Sequence, residues 1–389
     1  MKVLRVIPSM NPENGGPCQG IRNSIPALQR LGIESDVVCL DDPNSSYLAQ
    51  DQFVIFAIGG NSGEWKYSAA LSIWLDQHMH RYDAVIIHGL WLYHSYATIK
   101  NMLKLRKTSS FPKVYVMPHG MLDPWFQKDS TRKLKAFRNI VYWHLIEKKV
   151  INNCDGLLFT CEQELILARQ TFKGYDPKQQ LNVSYGIQAP PALTNEMKNA
   201  FSSSVKLLND KPYLLFLSRI HPKKGINMLI DAYIDLKSVA QNLPDLVIAG
   251  PIDDSYAYSM VEKAKASSYI HFAGMLKGDS KWGAFYGCEA FILPSHQENF
   301  GISVVEALAC SKPVLISDQV NIYKEIEVGK GGFIGTDTTS GVKNLLTRWF
   351  SLNENEKKSM SENAKEVYLK NYEIEETAKL LKQVLQQKN

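Results

Sequence analysis

Two glutamates in the second half of the sequence are placed to bind a polar ligand. Glu298 follows the apolar run AFILPS at 290–295, and Glu306 lies eight residues further along, with Gly301 and Ser303 between them. Carboxylates accept hydrogen bonds from sugar or ribose hydroxyls. A helix that starts between the two glutamates would also attract a phosphate, because its first amides and its dipole favour anions.

Glu306 also has a purely structural interpretation. Ser303 followed three residues later by Glu306 matches a helix capping box, and an apolar helical run follows. Glu298 has no comparable explanation, since it lies in a loop after a predicted buried strand and is flanked by Gln297 and Asn299. Recognition of a polyol is therefore expected at Glu298.

A basic loop follows an earlier apolar run, YLLFLSR at 213–219. Arg219, Lys223 and Lys224 supply positive charge there, and Gly225 allows a helix to begin beside them. An arginine and a lysine can neutralise a diphosphate through charge-assisted hydrogen bonds of ~1.5 to 3 kcal/mol each. Basic loops are also typical of solvated surface, but a position at the carboxyl end of a strand favours phosphate binding.

The first half of the sequence has two further candidate sites at strand ends. Gly15 and Gly16 precede Pro17 and predict either a plain turn into a helix or close approach of the backbone to a ligand. They do not form a G-x-G-x-x-G, so a dehydrogenase is not indicated. His119, in MPHGMLDPW, and its counterpart His88 each end an apolar strand, where a histidine either satisfies a core hydrogen bond or contacts substrate.

Short apolar runs alternate with segments of helical period throughout the chain. This pattern predicts an α/β fold with parallel sheets, arranged as two Rossmann-like doubly wound domains facing a central cleft. We expect an acceptor-binding domain over 1–190, a nucleotide-sugar-binding domain over 191–370, and a C-terminal helix over 371–389 that packs back on the first domain. The stretch 188–211, with a Pro pair and a Ser run, is predicted to connect the domains.

Composition excludes several other classes of protein. The 389 residues carry a formal charge of only +5, which does not indicate a nucleic-acid partner. The six cysteines form no C-x-x-C pair, as expected for free thiols in the cytoplasm. No apolar run reaches the ~18 residues of a membrane span. The sequence contains no D-x-D, so no metal-bridged diphosphate and no metal site are predicted.

The charge excess is concentrated in one segment, 128–149, which alone has a net charge of +5. It also carries apolar residues near one helical face. One interpretation is an amphipathic helix packed on the first domain. The alternative is peripheral contact with an anionic membrane, at about 1 kcal/mol per basic residue near the surface. The apolar residues are Leu134, Phe137, Ile140, Val141 and Leu145.

Arg219-x4-Lys224 and Glu298-x7-Glu306, in a two-domain α/β chain, together resemble the retaining family 4 glycosyltransferases of the GT-B fold, also called group 1 glycosyltransferases. The likeness is most specific over 213–340 and extends to the first domain through Gly15, Gly16 and the segment 119–125. The resemblance implies transfer of a sugar from a nucleotide diphosphate sugar with retained anomeric configuration and without a metal or other cofactor.

The resemblance also implies residue roles. Arg219 and Lys224 would bind the diphosphate, Glu298 the sugar hydroxyls, Glu306 the ribose and His119 the transferred sugar. The catalytic set would be His119, Glu298, Arg219 and Lys224. The nucleotide-sugar site would comprise Gly15, Gly16, Arg219, Lys224, Glu298, Asn299, Phe300, Gly301, Ile302, Ser303 and Glu306. One departure concerns 184–188, which reads SYGIQ where the family commonly has a Pro-Asn-Gly-x-Asp turn.

We therefore expect a cytoplasmic hexosyltransferase, at the inner membrane surface if the segment 128–149 binds lipid. Its donor would be a UDP- or GDP-sugar, and its acceptor a saccharide or lipid-linked saccharide in polysaccharide or glycolipid synthesis. A sugar-nucleotide epimerase or a phosphorylase of the same architecture, and a catalytically silent sugar-nucleotide-binding module, remain as alternatives.

Overall fold

The chain divides into two compact units. The computed structural model describes residues 1–108, 112–128, 132–208, 211–240 and 243–387. The first unit comprises Met1–Ile187 and the segment from Ile374 onward, and the second comprises Gln188–Glu373.

The first unit is built on one sheet of parallel strands. The strands are β1 (Lys2–Val6), β2 (Glu34–Cys39), β3 (Ile55–Ala57), β4 (Ala84–His88), β5 (Lys113–Met117), β6 (Gly156–Phe159) and β7 (Gln180–Asn182). Their spatial order is β3-β2-β1-β4-β5-β6-β7, so the order reverses between β1 and β4. Ligands of doubly wound folds bind at such a switch point, beyond the carboxyl ends of the strands. The sequence did not predict β3 and β7, which are three-residue edge strands.

Helices cover both faces of this sheet, because its strands are apolar on both sides. They are α1 (Gly16–Arg30), α2 (Ala69–His78), α3 (Tyr93–Leu105), α4 (Trp125–Lys128), α5 (Lys133–Tyr142), α6 (Lys148–Asn153), α7 (Glu162–Ala168) and the last helix, α16 (Ile374–Gln386). Successive residues of β1 alternate between two clusters, with Leu4 and Val6 in one and Val3 in the other. Leu381 and Leu385 of α16 pack in the cluster that contains Val3.

The second unit repeats the arrangement with its own sheet. The strands are β8 (Tyr213–Leu217), β9 (Asp245–Ala249), β10 (Ile270–Gly274), β11 (Ala290–Leu293), β12 (Val314–Ser317) and β13 (Gly332–Gly335). They are parallel and ordered β10-β9-β8-β11-β12-β13, which places the switch point between β8 and β11. The helices are α8 (Asn195–Ser204), α9 (Ile226–Val239), α10 (Ser255–Ala264), α11 (Gly278–Gly287), α12 (Ile302–Ala309), α13 (Tyr323–Val328), α14 (Thr339–Phe350) and α15 (Glu354–Asn371).

The predicted connection at 188–211 belongs to the second unit. Helix α8 lies within it, and the side chain of Thr194 caps this helix by accepting from the Met197 amide at 3.3 Å. Met197 and Phe201, one turn apart, are buried. The polar residues around this apolar pair concealed the helix in the sequence. Residues 209–210 of the predicted connection lie outside the described part.

A buried carboxyl in the first unit makes stability depend on pH. Glu147 is fully buried, and burial raises its pKa to about 7 although its oxygen accepts from the Trp91 amide at 2.7 Å. The folded protein therefore holds a proton that the unfolded chain releases near pH 4.5. Because the folded state binds more protons, stability falls as pH rises from about 4.5 to 7.

We expect Glu147→Gln to remove this loss, since the amide is neutral at every pH and its oxygen can still accept from Trp91. The variant should gain about 3 kcal/mol over the wild type above pH 7 and little below pH 4.5. Urea unfolding of both proteins at pH 5 and pH 8 measures this difference. Glu64→Gln, at a side chain 97% exposed, is the control. An equal difference at both pH values would contradict the assignment.

Candidate active site

The centre of the site in the second unit is an ion pair between Lys224 and Glu298. Lys224 ends the turn after β8, and Glu298 lies in the loop after β11, so the pair joins the two strands that flank the switch point. Lys224 is only 8% exposed. A lysine this buried requires a counter-charge, and Glu298 supplies it.

The backbone brings these two loops into contact. Gly225 has a φ of 69°, and a Cβ there would lie 2.0 Å from the Pro294 carbonyl oxygen, so only glycine fits. The His296 amide donates to the Lys223 carbonyl at 2.8 Å. The turn that carries Lys224 is thereby fixed against the loop that carries Glu298.

Glu298 is itself held by backbone hydrogen bonds. Its amide donates to the Gln319 carbonyl at 3.0 Å, and its carbonyl accepts from the Asn321 amide at 2.9 Å. Burial raises the pKa of the Glu298 carboxyl, but the charge and hydrogen bond of Lys224 outweigh burial and hold the pKa below its ordinary value. Glu298 is therefore an anion at neutral pH and can only accept hydrogen bonds.

Arg219 adds an unpaired positive charge close to this pair. Its side chain is exposed and makes no ion pair or hydrogen bond with the residues that the structure describes. Its charge nevertheless contributes to lowering the pKa of Glu298. Arg219 is thus available to an anionic ligand, whereas Lys224 is already bound to a carboxylate.

Glu306 does not form the capping box that the sequence allows. Helix α12 begins after Gly301, which has a φ of 77°, and no side chain caps it. Glu306 accepts instead from Lys281 of α11 at 2.7 Å. Burial raises the pKa of Glu306, and Lys281 offsets this only partly. The sequence did not single out Lys281, because nothing in it connects a helix lysine to a carboxylate 25 residues away.

The residues between the two glutamates have different environments. Phe300 is buried and packs edge-on against Tyr372 with ring centroids 5.5 Å apart, so its ring belongs to the core of the second unit. The Asn299 side chain accepts from Asn321 at 3.4 Å. Ile302 and Ser303 are half-buried in the first turn of α12. Backbone donors and carboxylate acceptors therefore lie along one segment at the start of this helix.

In the first unit, the glycines mark the turn into α1. Gly15 has a φ of 81° and precedes the helix, and Gly16 is its first residue. The Gly16 carbonyl accepts from the Tyr185 hydroxyl at 2.6 Å. Tyr185 belongs to the segment that departs from the family's usual turn, and a Cβ at Gly20 would lie 2.1 Å from its hydroxyl oxygen. In this chain a buried tyrosine therefore braces the glycine turn.

His119 and His88 lie at the carboxyl ends of neighbouring strands and contact each other. His88 Nδ1 lies 3.0 Å from His119 Nε2. His119 has the left-handed φ of 52°, which is strained for a histidine. The next amide, of Gly120, donates to the buried Glu164 at 2.5 Å and thereby secures this turn. Glu164 was not predicted, because in the sequence it appears only as a helix residue.

Two family models match the sequence. Residues 15–186 match the model described as "Glycosyl transferase 4-like domain", and residues 197–367 match "Glycosyl transferases group 1". One curated relative is the alpha-monoglucosyldiacylglycerol synthase of Acholeplasma laidlawii, 27% identical over 46% of this chain and 47% of its own length. Another is the N,N'-diacetylbacillosaminyl-diphospho-undecaprenol alpha-1,3-N-acetylgalactosaminyltransferase of Campylobacter jejuni, 26% identical over 43% of this chain and 42% of its own. The chain thus spans less than half of the length of each of these two relatives.

Solved structures match over almost the whole chain. Anabaena Alr3699/HepE, in complex with UDP and glucose, has a TM-score of 0.74 at 16% identity and 99% coverage of both chains. The sucrose-phosphate synthase of Thermosynechococcus elongatus has a TM-score of 0.69 at 18% identity and 98% coverage of both chains. These matches establish the fold, and the two family models together match most of the sequence. The chain therefore belongs to the group 1 glycosyltransferases and has the GT-B fold.

Proposed function

We propose that this protein transfers a sugar, with retention of anomeric configuration and without a metal, from a nucleotide diphosphate sugar to a saccharide or lipid-linked saccharide. The observation that carries the proposal is the ion pair of Lys224 and Glu298 at the switch point of the second sheet. The pair supports the proposal because a cation, which suits a diphosphate, lies next to a carboxylate, which suits sugar hydroxyls.

Charge development explains how such a site accelerates transfer. The bond between the anomeric carbon and the diphosphate oxygen breaks, and the leaving diphosphate gains negative charge. Arg219, Lys224 and the amino end of α12 stabilise this charge more in the transition state than in the ground state. The acceptor hydroxyl bonds to the anomeric carbon on the same face and gives its proton to the leaving phosphate. No side chain has to act as an acid.

The remaining residues bind and orient the donor. Glu298 accepts from sugar hydroxyls, and the amides of Asn299, Phe300 and Gly301 donate to the sugar. Glu306 accepts from the ribose hydroxyls, and Gly16 allows the phosphates to come close to its backbone. His119 contacts the transferred sugar as a neutral imidazole, since burial lowers its pKa to about 3.

A UDP- or GDP-sugar is the expected donor. The UDP and glucose bound by Anabaena Alr3699/HepE support a nucleotide-sugar donor. The names of the two curated relatives support acceptors of the glycolipid or lipid-linked saccharide type.

A transfer assay in EDTA tests the proposal and separates it from the alternatives. The protein is incubated with each nucleotide sugar and a panel of saccharide and lipid acceptors, and products are followed by NMR. We expect an acceptor-dependent product that retains the donor's anomeric configuration. Turnover without an acceptor would indicate an epimerase, and turnover that requires inorganic phosphate would indicate a phosphorylase. Binding without turnover under any condition would indicate a silent module.

We also propose that the protein acts in the cytoplasm and binds the anionic inner surface of a membrane through α5 and the π-helical segment Trp143–Glu147 that follows it. No helix in the described ranges is long and apolar enough to span a bilayer. Leu134, Phe137 and Leu145 are nevertheless 88%, 68% and 66% exposed, so these three apolar side chains are left uncovered by the described residues, although Ala136 of the same helix is buried. Lys133 and Arg138 are exposed close to these side chains. Residues 129–131 of the predicted basic segment lie outside the described part.

Removing either the basic or the apolar side chains of this surface should weaken membrane binding. Neutralising Lys133, Lys135 and Arg138 with glutamine should lower affinity for phosphatidylglycerol vesicles on the order of 100-fold, at about 1 kcal/mol per residue. Leu134→Ser with Phe137→Ser should have a similar effect by removing apolar burial. Co-sedimentation with vesicles measures both, and Val239→Ser, at an exposed valine of the second unit, is the control. Unchanged sedimentation of both variants would rule out this surface.

A further inference from the structure

Arg5 is a buried cation in the centre of the first sheet. It lies in β1, is 1% exposed, and its Nε and Nη2 have no hydrogen-bond partner in the described structure. Burial of a guanidinium without a carboxylate is strongly unfavourable. Burial lowers the pKa of Arg5 to about 10, so it remains charged at neutral pH. A buried, charged arginine without a carboxylate partner is unfavourable for stability, which indicates a functional role.

The one side-chain hydrogen bond of Arg5 among the described residues starts a chain across three adjacent strands. Arg5 Nη1 on β1 lies 3.4 Å from His88 Nε2 on β4, and His88 Nδ1 lies 3.0 Å from His119 Nε2 after β5. The two imidazole rings are nearly parallel, with centroids 5.3 Å apart. His88 is also fixed through its backbone, because its carbonyl accepts from His94 at 2.9 Å.

The chemistry of the donors determines where each proton lies. A guanidinium can only donate, so His88 Nε2 must be the acceptor. A neutral imidazole has one N–H, which in His88 is then on Nδ1 and donates to His119 Nε2. Because His119 Nε2 accepts, the proton of His119 is on Nδ1. Burial lowers the pKa of both histidines, well below the ordinary value for His88, so both rings are neutral.

We propose that Arg5 is a positioning residue that acts through His88 to hold His119 in the tautomer protonated on Nδ1. This inference rests on the proposed function, in which His119 contacts the transferred sugar, and it defines what that contact is. His119 Nδ1 makes no hydrogen bond with any described residue, and the side chain is half-buried. The Nδ1–H of His119 would donate a hydrogen bond to the sugar, so the matching ligand atom is an oxygen that accepts.

NMR of protein labelled with ¹⁵N at histidine tests the tautomer directly. Long-range ¹H–¹⁵N correlations distinguish the two tautomers, and His119→Asn identifies the His119 signals by their loss. We expect the wild-type protein to carry the proton on Nδ1. In Arg5→Met, His88 Nε2 no longer has to accept from the guanidinium, so His88 can carry its proton on Nε2. The His119 signals should then shift towards the tautomer protonated on Nε2. Arg22→Met, which removes an arginine paired with Asp51 in the same unit, should leave them unchanged.

A substitution at His88 separates positioning from simple packing. His88→Gln keeps the chain, because its amide oxygen can accept from Arg5 while its NH2 donates to His119, so the Nδ1 tautomer should persist. His88→Leu breaks the chain of hydrogen bonds, so His119 should lose its preference for the Nδ1 tautomer. Transfer should fall about tenfold or more in Arg5→Met and His88→Leu and recover in His88→Gln.

The tautomer measurement stands even if the protein transfers no sugar, so failure of the proposed function and failure of this inference are distinguishable. A proton on Nε2 of His119 in the wild-type protein would overturn the inference without any variant. An unchanged His119 tautomer in both Arg5→Met and His88→Leu would also overturn it.

Discussion

Replacing Glu298 with glutamine should lower kcat/KM for sugar transfer about 100-fold or more. The amide keeps the shape of the side chain but loses the negative charge, so the charge-assisted hydrogen bonds that the carboxylate would accept from two sugar hydroxyls are lost. At ~1.5 kcal/mol each, their loss corresponds to about two orders of magnitude. Initial rates at several donor concentrations measure the effect.

The same variant should be less stable by roughly 2 kcal/mol, because Lys224 remains buried without a counter-charge. This provides an internal control. The double variant Glu298→Gln with Lys224→Met removes both charges and should regain most of the stability, but it should regain no activity. If activity and stability recovered together, Glu298 would be a structural partner of Lys224 and would not bind the donor.

Replacing Lys224 with methionine should weaken the binding of nucleoside diphosphates more than the binding of the free nucleoside. The methionine fills a similar volume, but the charge that faces the diphosphate is gone. We expect a loss on the order of 10- to 100-fold in diphosphate affinity from one charge-assisted contact, and little change for the nucleoside. Titration calorimetry with the nucleoside and its diphosphate measures both.

Lys343→Met is the matched control for this effect. Lys343 is also an ion-paired lysine of the second unit, with Asp235 at 2.8 Å, but it lies on α14 rather than at a strand end. Its loss should leave diphosphate affinity unchanged. Equal losses in the two variants would mean that only the overall charge of the unit matters, and would remove Lys224 from the site.

The sequence predicted the two sheets well because most of the strands are strongly apolar. Runs such as AVIIH in β4 and VLIS in β12 are buried on both faces, and such runs bounded by polar or turn residues identify parallel strands. Strand β7, QLN, is short and polar and gives no such signal. Strand β3 lies within the apolar run 53–58, but only three of its residues pair in the sheet and they are half-buried. Helix α8 was concealed for a related reason, since its two buried residues stand among serines and asparagines.

The site was predicted only where its residues are close in sequence. The loop and helix that carry Glu298 and Glu306 form one continuous segment, and Lys224 lies in the turn that follows a strand. The partners that hold these groups come from elsewhere in the chain, as Lys281 does for Glu306. Arg5 appeared in the sequence only as a charge that interrupts an apolar run. Its contact with His88, 83 residues away, exists only through the strand order β1-β4-β5.

The central claim is that Lys224 and its neighbours form a nucleoside diphosphate site. A thermal-shift screen in EDTA with UDP, GDP, ADP and TDP, on the wild-type protein and Lys224→Met, tests this most directly. A ligand at 100 times its Kd adds ~2.7 kcal/mol of stability. We predict that one nucleoside diphosphate stabilises the wild-type protein and that Lys224→Met loses most of this ligand-dependent shift. No shift with any of the four, or an equal shift in the variant, would contradict the claim.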